Sequence, residues 1–116
     1  MKLNTFNDIV REQVQLSEKL LTYKGKEYAA DATDTSEADR LAAFKKAAML
    51  QGISPAQAAF GMLAKHLVSV SDMVAEPETY DINRWTEKLC DSINYLLIIK
   101  ALAIEAGSTK KEADHA

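Results

Sequence analysis

Residues 84–107 read RWTEKLCDSINYLLIIKALAIEAG. The stretch contains no proline and no period-two alternation, and it ends on a glycine, so it predicts one long helix. Ile82, Trp85, Leu89, Ile93 and Leu96 recur at helical spacing as its main apolar face. Beyond Tyr95 the helix is apolar nearly all round. Glu87, Asp91 and Asn94 form a polar stripe whose line runs directly into Ile98 and Leu102. A stripe that only faced water would not continue into an oily line. Either a partner subunit covers its apolar end, or the whole line faces the interior of a bundle.

Three further helices are expected upstream. GISPAQ, residues 52–57, holds the strongest boundary signal: Ser54 as N-cap, Pro55 in the first turn and Gln57 closing a capping box. The helix it opens should run to about Val74, with Phe60, Leu63, Leu67, Val70 and Val74 as its core face and Lys65, Ser69 and Asp72 on the wet side. Pro77 breaks it, and Asp81 caps the final helix. A second helix is expected to begin with Ser36 and Asp39 in capping-box spacing, to present Leu41, Phe44 and Ala48, and to end before Gly52. The first should start near Thr5 and reach Tyr23, or Tyr28 if Gly25 is tolerated. Its apolar side is Phe6, Ile9, Val10, Val14, Leu20 and Leu21. The fold class is therefore all-α, a four-helix bundle over residues 1–107 with a polar tail at 108–116. The apolar segment from Tyr95 to Ile104 needs more cover than three partner helices of this length give, which predicts an oligomer.

Composition narrows the function classes. With 116 residues, 14 basic against 17 acidic side chains and a net charge of −3, the chain lacks the basic excess of a protein led to nucleic acid by electrostatics. Its glycines are isolated and form no phosphate-cradling loop. One cysteine, Cys90, excludes an internal disulfide, and a small packed helix residue is its simplest role. The polar N-terminus does not read as a signal peptide, and no apolar run reaches membrane-spanning length, so a cytoplasmic chain with no membrane partner is expected.

The chemistry-bearing residues lie on the last two helices. Glu87 and Asp91 are one turn apart, and two carboxylates so placed repel unless water, a cation or a basic side chain is near. They could form part of a Mg²⁺ site, because Mg²⁺ takes carboxylate oxygens and keeps several waters. Equally, Arg84 and Lys88 could neutralise them at a surface. If the two last helices pack antiparallel, the stripe Glu87, Asp91, Asn94 could face Lys65, Ser69 and Asp72 across a wet cleft.

The segment EKLCDSINYLLIIKALAIEAG, with Glu87, Asp91 and Tyr95, resembles the last helix of the MazG-like all-α nucleotide pyrophosphohydrolases. Lys24, Gly25, Glu27, Tyr28, Asp39, Phe44, Lys65, His66, Asp91, Asn94 and Tyr95 resemble the pattern of a small, largely phage-encoded branch of that group. The resemblance spans roughly residues 15–107. It implies a helical bundle assembled as a dimer or tetramer, and hydrolysis of nucleoside triphosphates to monophosphate and pyrophosphate with Mg²⁺ held between acidic helices. On that reading Glu87 and Asp91 are catalytic, Asp72 joins them as metal ligands, and Lys24 and Lys65 contact phosphate. Asn94 and Tyr95 orient a nucleotide or other phosphorylated small molecule. The chain departs from the family where Lys88 stands in place of an acid and where Lys65, Ser69 and Asp72 replace an acidic pair. A non-catalytic helical interaction protein that kept the fold and lost the metal site is the alternative.

Overall fold

A computed structural model of the chain describes residues 1–28 and 38–110, with side chains placed at 1–23 and 38–110. Four α-helices account for nearly all of it: α1 (Leu3–Tyr28), α2 (Ala42–Gln51), α3 (Pro55–Ala75) and α4 (Ile82–Glu105), with a single 3-10 turn at Pro77–Thr79. There is no strand among the described residues.

The helix ends follow local chemistry. Ser54 Oγ accepts the Gln57 N–H at 3.1 Å, and Gln57 Oε1 accepts the Ser54 N–H at 2.9 Å, so the capping box of α3 is complete. Asp81 Oδ1 accepts the Arg84 N–H at 2.9 Å and caps α4. Gly52 ends α2 in the left-handed region at φ 66°, letting the Ile53 N–H reach Ala48 O at 3.0 Å. Two expected starts differ. The first helix begins at Leu3, ahead of Thr5, and Asp8 pairs with Arg11 at 3.3 Å. The second begins at Ala42, with Asp39 Oδ1 accepting the Leu41 N–H at 3.0 Å; Ser36 lies outside the described residues. Gly25 is carried inside α1, which continues to Tyr28.

Helix α4 is the centre of the arrangement. It packs on α3 and on α1, and α2 packs on α3. The short connection makes α3 and α4 antiparallel: Ala59 belongs to the same cluster as Leu102, while His66, further along α3, meets Asp91, earlier on α4. Helix α1 runs the other way, parallel to α4. Gln13 Nε2 donates to Thr86 O at 3.2 Å and to Cys90 Sγ at 3.0 Å, and Ser17 Oγ donates to the same sulfur at 3.4 Å. Leu21 then comes level with Asn94 and Tyr95. Cys90 is thus a buried packing residue in the α1–α4 seam.

The core is small: Leu41 and Phe44 of the α2 region, Ala59 of α3, and Ile98 and Leu102 of α4, joined at the margin by Leu21, Met62 and Tyr95. Lys45 ties α2 to the end of α4, 2.8 Å from Asp39 and 2.7 Å from Glu105. The Lys45 ammonium, with the Leu41 N–H, holds the Asp39 carboxyl below its ordinary value. The hydrogen bonds from Lys45 to Asp39 and Glu105 raise the Lys45 ammonium above its own.

The expected apolar faces are rotated. On α3, Leu63 is buried as expected, but Phe60, Leu67 and Val74 are exposed, and Ala58, Ala59 and Met73 are buried in their place. Small alanines let α2 and α4 approach closely, which larger side chains would prevent. On α4, Ile82 and Leu96 of the expected main face are exposed, whereas the line Asn94, Ile98, Leu102 is buried. On α1, Phe6, Ile9, Val10, Val14 and Leu20 are all exposed, and among its described side chains the buried one is Ser17.

Candidate functional site

The polar stripe of α4 turns from solvent to interior along its length. Glu87 stays outside, 3.9 Å from Arg84 across an exposed pair. One turn on, the Asp91 side chain is only 23% exposed and its Oδ2 stands 3.6 Å from Nδ1 of His66 on α3. That distance is a side-chain contact and is too long for a hydrogen bond. Another turn on, Asn94 is buried, and its Oδ1 has no hydrogen-bond partner among the described residues. Tyr95 completes the group. The His66 imidazole lies over its ring with centroids 5.2 Å apart and planes at 30°, and Phe44 meets it edge-on at 6.3 Å and 89°.

Asp91, Asn94 and Tyr95, with Leu21, Arg40, Phe44 and Ile98, line a cavity of about 60 Å³. Four segments build it: the C-terminal part of α1, the residue preceding Leu41, α2, and the middle of α4. One wall is apolar. The polar residues of the lining are Arg40, Asp91, Asn94 and Tyr95. Drug-sized pockets run to about 300 Å³ or more, so the cavity accepts one polar group or ring edge and leaves the rest of a ligand outside. A buried amide oxygen left without a partner costs about 1–3 kcal/mol, which a bound donor would recover.

Asp91, Asn94 and Tyr95 are therefore gathered at one place. Their partner from α3 is His66, one position beyond the expected Lys65. Lys65 and Asp72 are exposed, the Ser69 hydroxyl turns back to Lys65 O at 3.5 Å, and among the described residues none of the three makes a hydrogen bond or ion pair with the α4 stripe. The expected metal set is likewise dispersed. Glu87 points to Arg84, Asp91 to His66, and Asp72 to solvent, and among the described residues no three acidic, histidine or cysteine side chains come together as a metal site. The Lys24 side chain lies outside the described residues. Arg40 went unread in the sequence; its only signal is its place directly after the helix-capping Asp39. No family model, curated protein or solved structure matches the chain.

Proposed function

We propose that the protein is a nucleotide-binding member of the MazG-like type, taking one polar edge of its ligand into the cavity under Tyr95. The reading is carried by Asn94: a buried, unpartnered amide oxygen in a cavity that also presents Asp91 and Arg40. Such a group is satisfied by ordered water, an ion or a ligand, and here it borders a cavity open to a ligand's polar edge. Asp91 accepts a second hydrogen bond from the ligand, and His66 and Tyr95 hold the wall in place. Lys24 and Lys65 remain candidates for phosphates outside the cavity.

Hydrolysis is the narrower reading. Among the described residues Glu87 and Asp72 do not converge on Asp91, so the carboxylates of one chain do not assemble a Mg²⁺ site. The dispersal of these acids favours binding without turnover, and it is also what the alternative of a non-catalytic interaction protein requires. Calorimetric titration with a panel of nucleoside mono- and triphosphates, each with and without Mg²⁺ and followed by pyrophosphate release, separates the cases. Binding lost in Asp91→Asn supports the nucleotide reading, and Mg²⁺-dependent pyrophosphate release extends it to hydrolysis. No binding by any nucleotide at millimolar concentration refutes it.

A further inference from the structure

Asp91 and Asn94 lie one helical turn apart on α4, and both line the cavity beside Tyr95. What they present there is of one kind. An ionised carboxylate accepts hydrogen bonds and donates none. Asp91 Oδ2 stands 3.6 Å from His66 Nδ1, beyond hydrogen-bond length, so the carboxylate keeps accepting capacity for another group. Asn94 is 8% exposed, and its Oδ1 is an acceptor without a partner among the described residues.

Two neighbouring acceptors set the chemistry of what can enter. A phosphate would bring negative charge against Asp91, so the phosphate end of a nucleotide stays outside. A carbonyl edge would oppose acceptor to acceptor. The entering group has to present adjacent donors. Leu21, Phe44 and Ile98 supply apolar walls, which suit the faces of a flat ring. The nucleobases differ along their pairing edges. Adenine and cytosine place an amino group beside a ring nitrogen that accepts. Uracil and thymine place a single N–H between two carbonyls. Guanine places its ring N–H directly beside its amino group, and so shows donors side by side.

We propose, on the nucleotide reading above, that the cavity is a guanine subsite. The Asp91 carboxylate accepts the ring N–H and one amino hydrogen in parallel, and Asn94 Oδ1 accepts the other amino hydrogen. Every other base sets a lone pair against the carboxylate or leaves the buried amide oxygen unpaired, and a site built on hydrogen bonds rejects such analogues strongly. The assignment rests on α4; Arg40, elsewhere on the lining, carries none of it.

Calorimetric titration of the full chain with the monophosphates of guanosine, inosine, adenosine, cytidine and uridine tests the subsite. The guanosine nucleotide should bind roughly tenfold or more tighter than those of adenosine, cytidine and uridine, the scale of a bidentate base contact. The inosine nucleotide keeps the ring N–H and lacks the amino group, so it should bind about fivefold or more weaker than the guanosine one. Leu21→Trp, at a half-buried position of the lining, should obstruct the cavity and remove binding while the helical circular dichroism is kept. The comparison of inosine with guanosine uses the wild-type chain and does not depend on how that variant folds. Equal affinity for inosine and guanosine nucleotides would overturn the guanine assignment and leave the nucleotide reading standing. So would a preference for adenine or cytosine, the result expected if Asn94 turned its amide NH₂ inward, or unchanged binding in a folded Leu21→Trp. No binding by any of the nucleotides at millimolar concentration would overturn both.

Discussion

The imidazole of His66 lies over the phenol ring of Tyr95, centroids 5.2 Å apart, joining α3 to α4 at the level where the α4 polar stripe enters the interior. The same imidazole stands beside Asp91, so one side chain positions both an aromatic wall and a carboxylate. His66→Ala should lower stability by about 1 kcal/mol, the scale of an aromatic pair with its burial. Asp91→Asn should change stability by less than about 0.5 kcal/mol and still remove ligand binding. Urea denaturation and calorimetry on the two variants separate positioning from contact. Equal binding losses with equal stability losses would sink this division of roles.

Asn94 gives a prediction of opposite sign. Its buried Oδ1 has no partner, so Asn94→Leu replaces an unsatisfied group by an apolar one of similar volume. Stability should rise by about 1 kcal/mol, while nucleotide binding disappears. A destabilised variant in thermal melts would show that Asn94 supports the fold and has no role as a waiting contact.

The Asp39–Lys45–Glu105 clamp should act over a defined pH window. The Asp39 carboxyl sits below its ordinary value in the folded chain, so its contribution is present above the ordinary carboxylate range near pH 4 and is lost as pH falls through the lowered value. The Lys45 ammonium sits above its ordinary value, so its contribution is complete below about pH 10 and is lost as pH rises further. Lys45→Met should therefore lower the melting temperature slightly at neutral pH and not at pH 2. The difference should also shrink in about 1 M salt, where the screening length is near 3 Å. All three side chains are solvent-exposed, so a large effect is not expected.

Cys90 reports on the α1–α4 seam. Its thiol is buried beneath Gln13 and Ser17, so a thiol reagent should reach it only when α1 lifts. Ser17→Leu overfills that seam at a cost of about 1–3 kcal/mol, and labelling should accelerate roughly tenfold or more. Labelling of the wild type as fast as a free thiol would refute the seam.

Helix boundaries were legible wherever one short motif encodes them. Ser54, Pro55 and Gln57 specify the start of α3 without help from the rest of the chain, and Asp81 does the same for α4. Faces were harder to read. Leu63 and Val70 belong equally to the line through Phe60 and to the line through Ala59, and hydrophobicity alone prefers the phenylalanine. The chain buries the alanine, because close helix approach outweighs side-chain size. For the same reason the α3 partner of Asp91 is His66 and not Lys65: a rotation of one residue exchanges them. The inward course of Asp91 and Asn94 was readable, because their line continues into Ile98 and Leu102. Arg40 was not, since its arrival at the cavity depends on how α2 packs.

The parallel alignment of α1 on α4 also bears on the order of folding. Helices α2, α3 and α4 meet their neighbours across short turns, whereas Gln13 and Ser17 reach partners 73 positions away. Closing so long a loop carries a large entropic cost and gains little until α4 already exists as a template. Helix α1 is therefore expected to dock last, although it is the first part of the chain to be synthesised. Until then its apolar arc has no intramolecular cover. A nascent chain would hold that arc open until α4 has emerged, an interval in which other exposed apolar surface could reach it first.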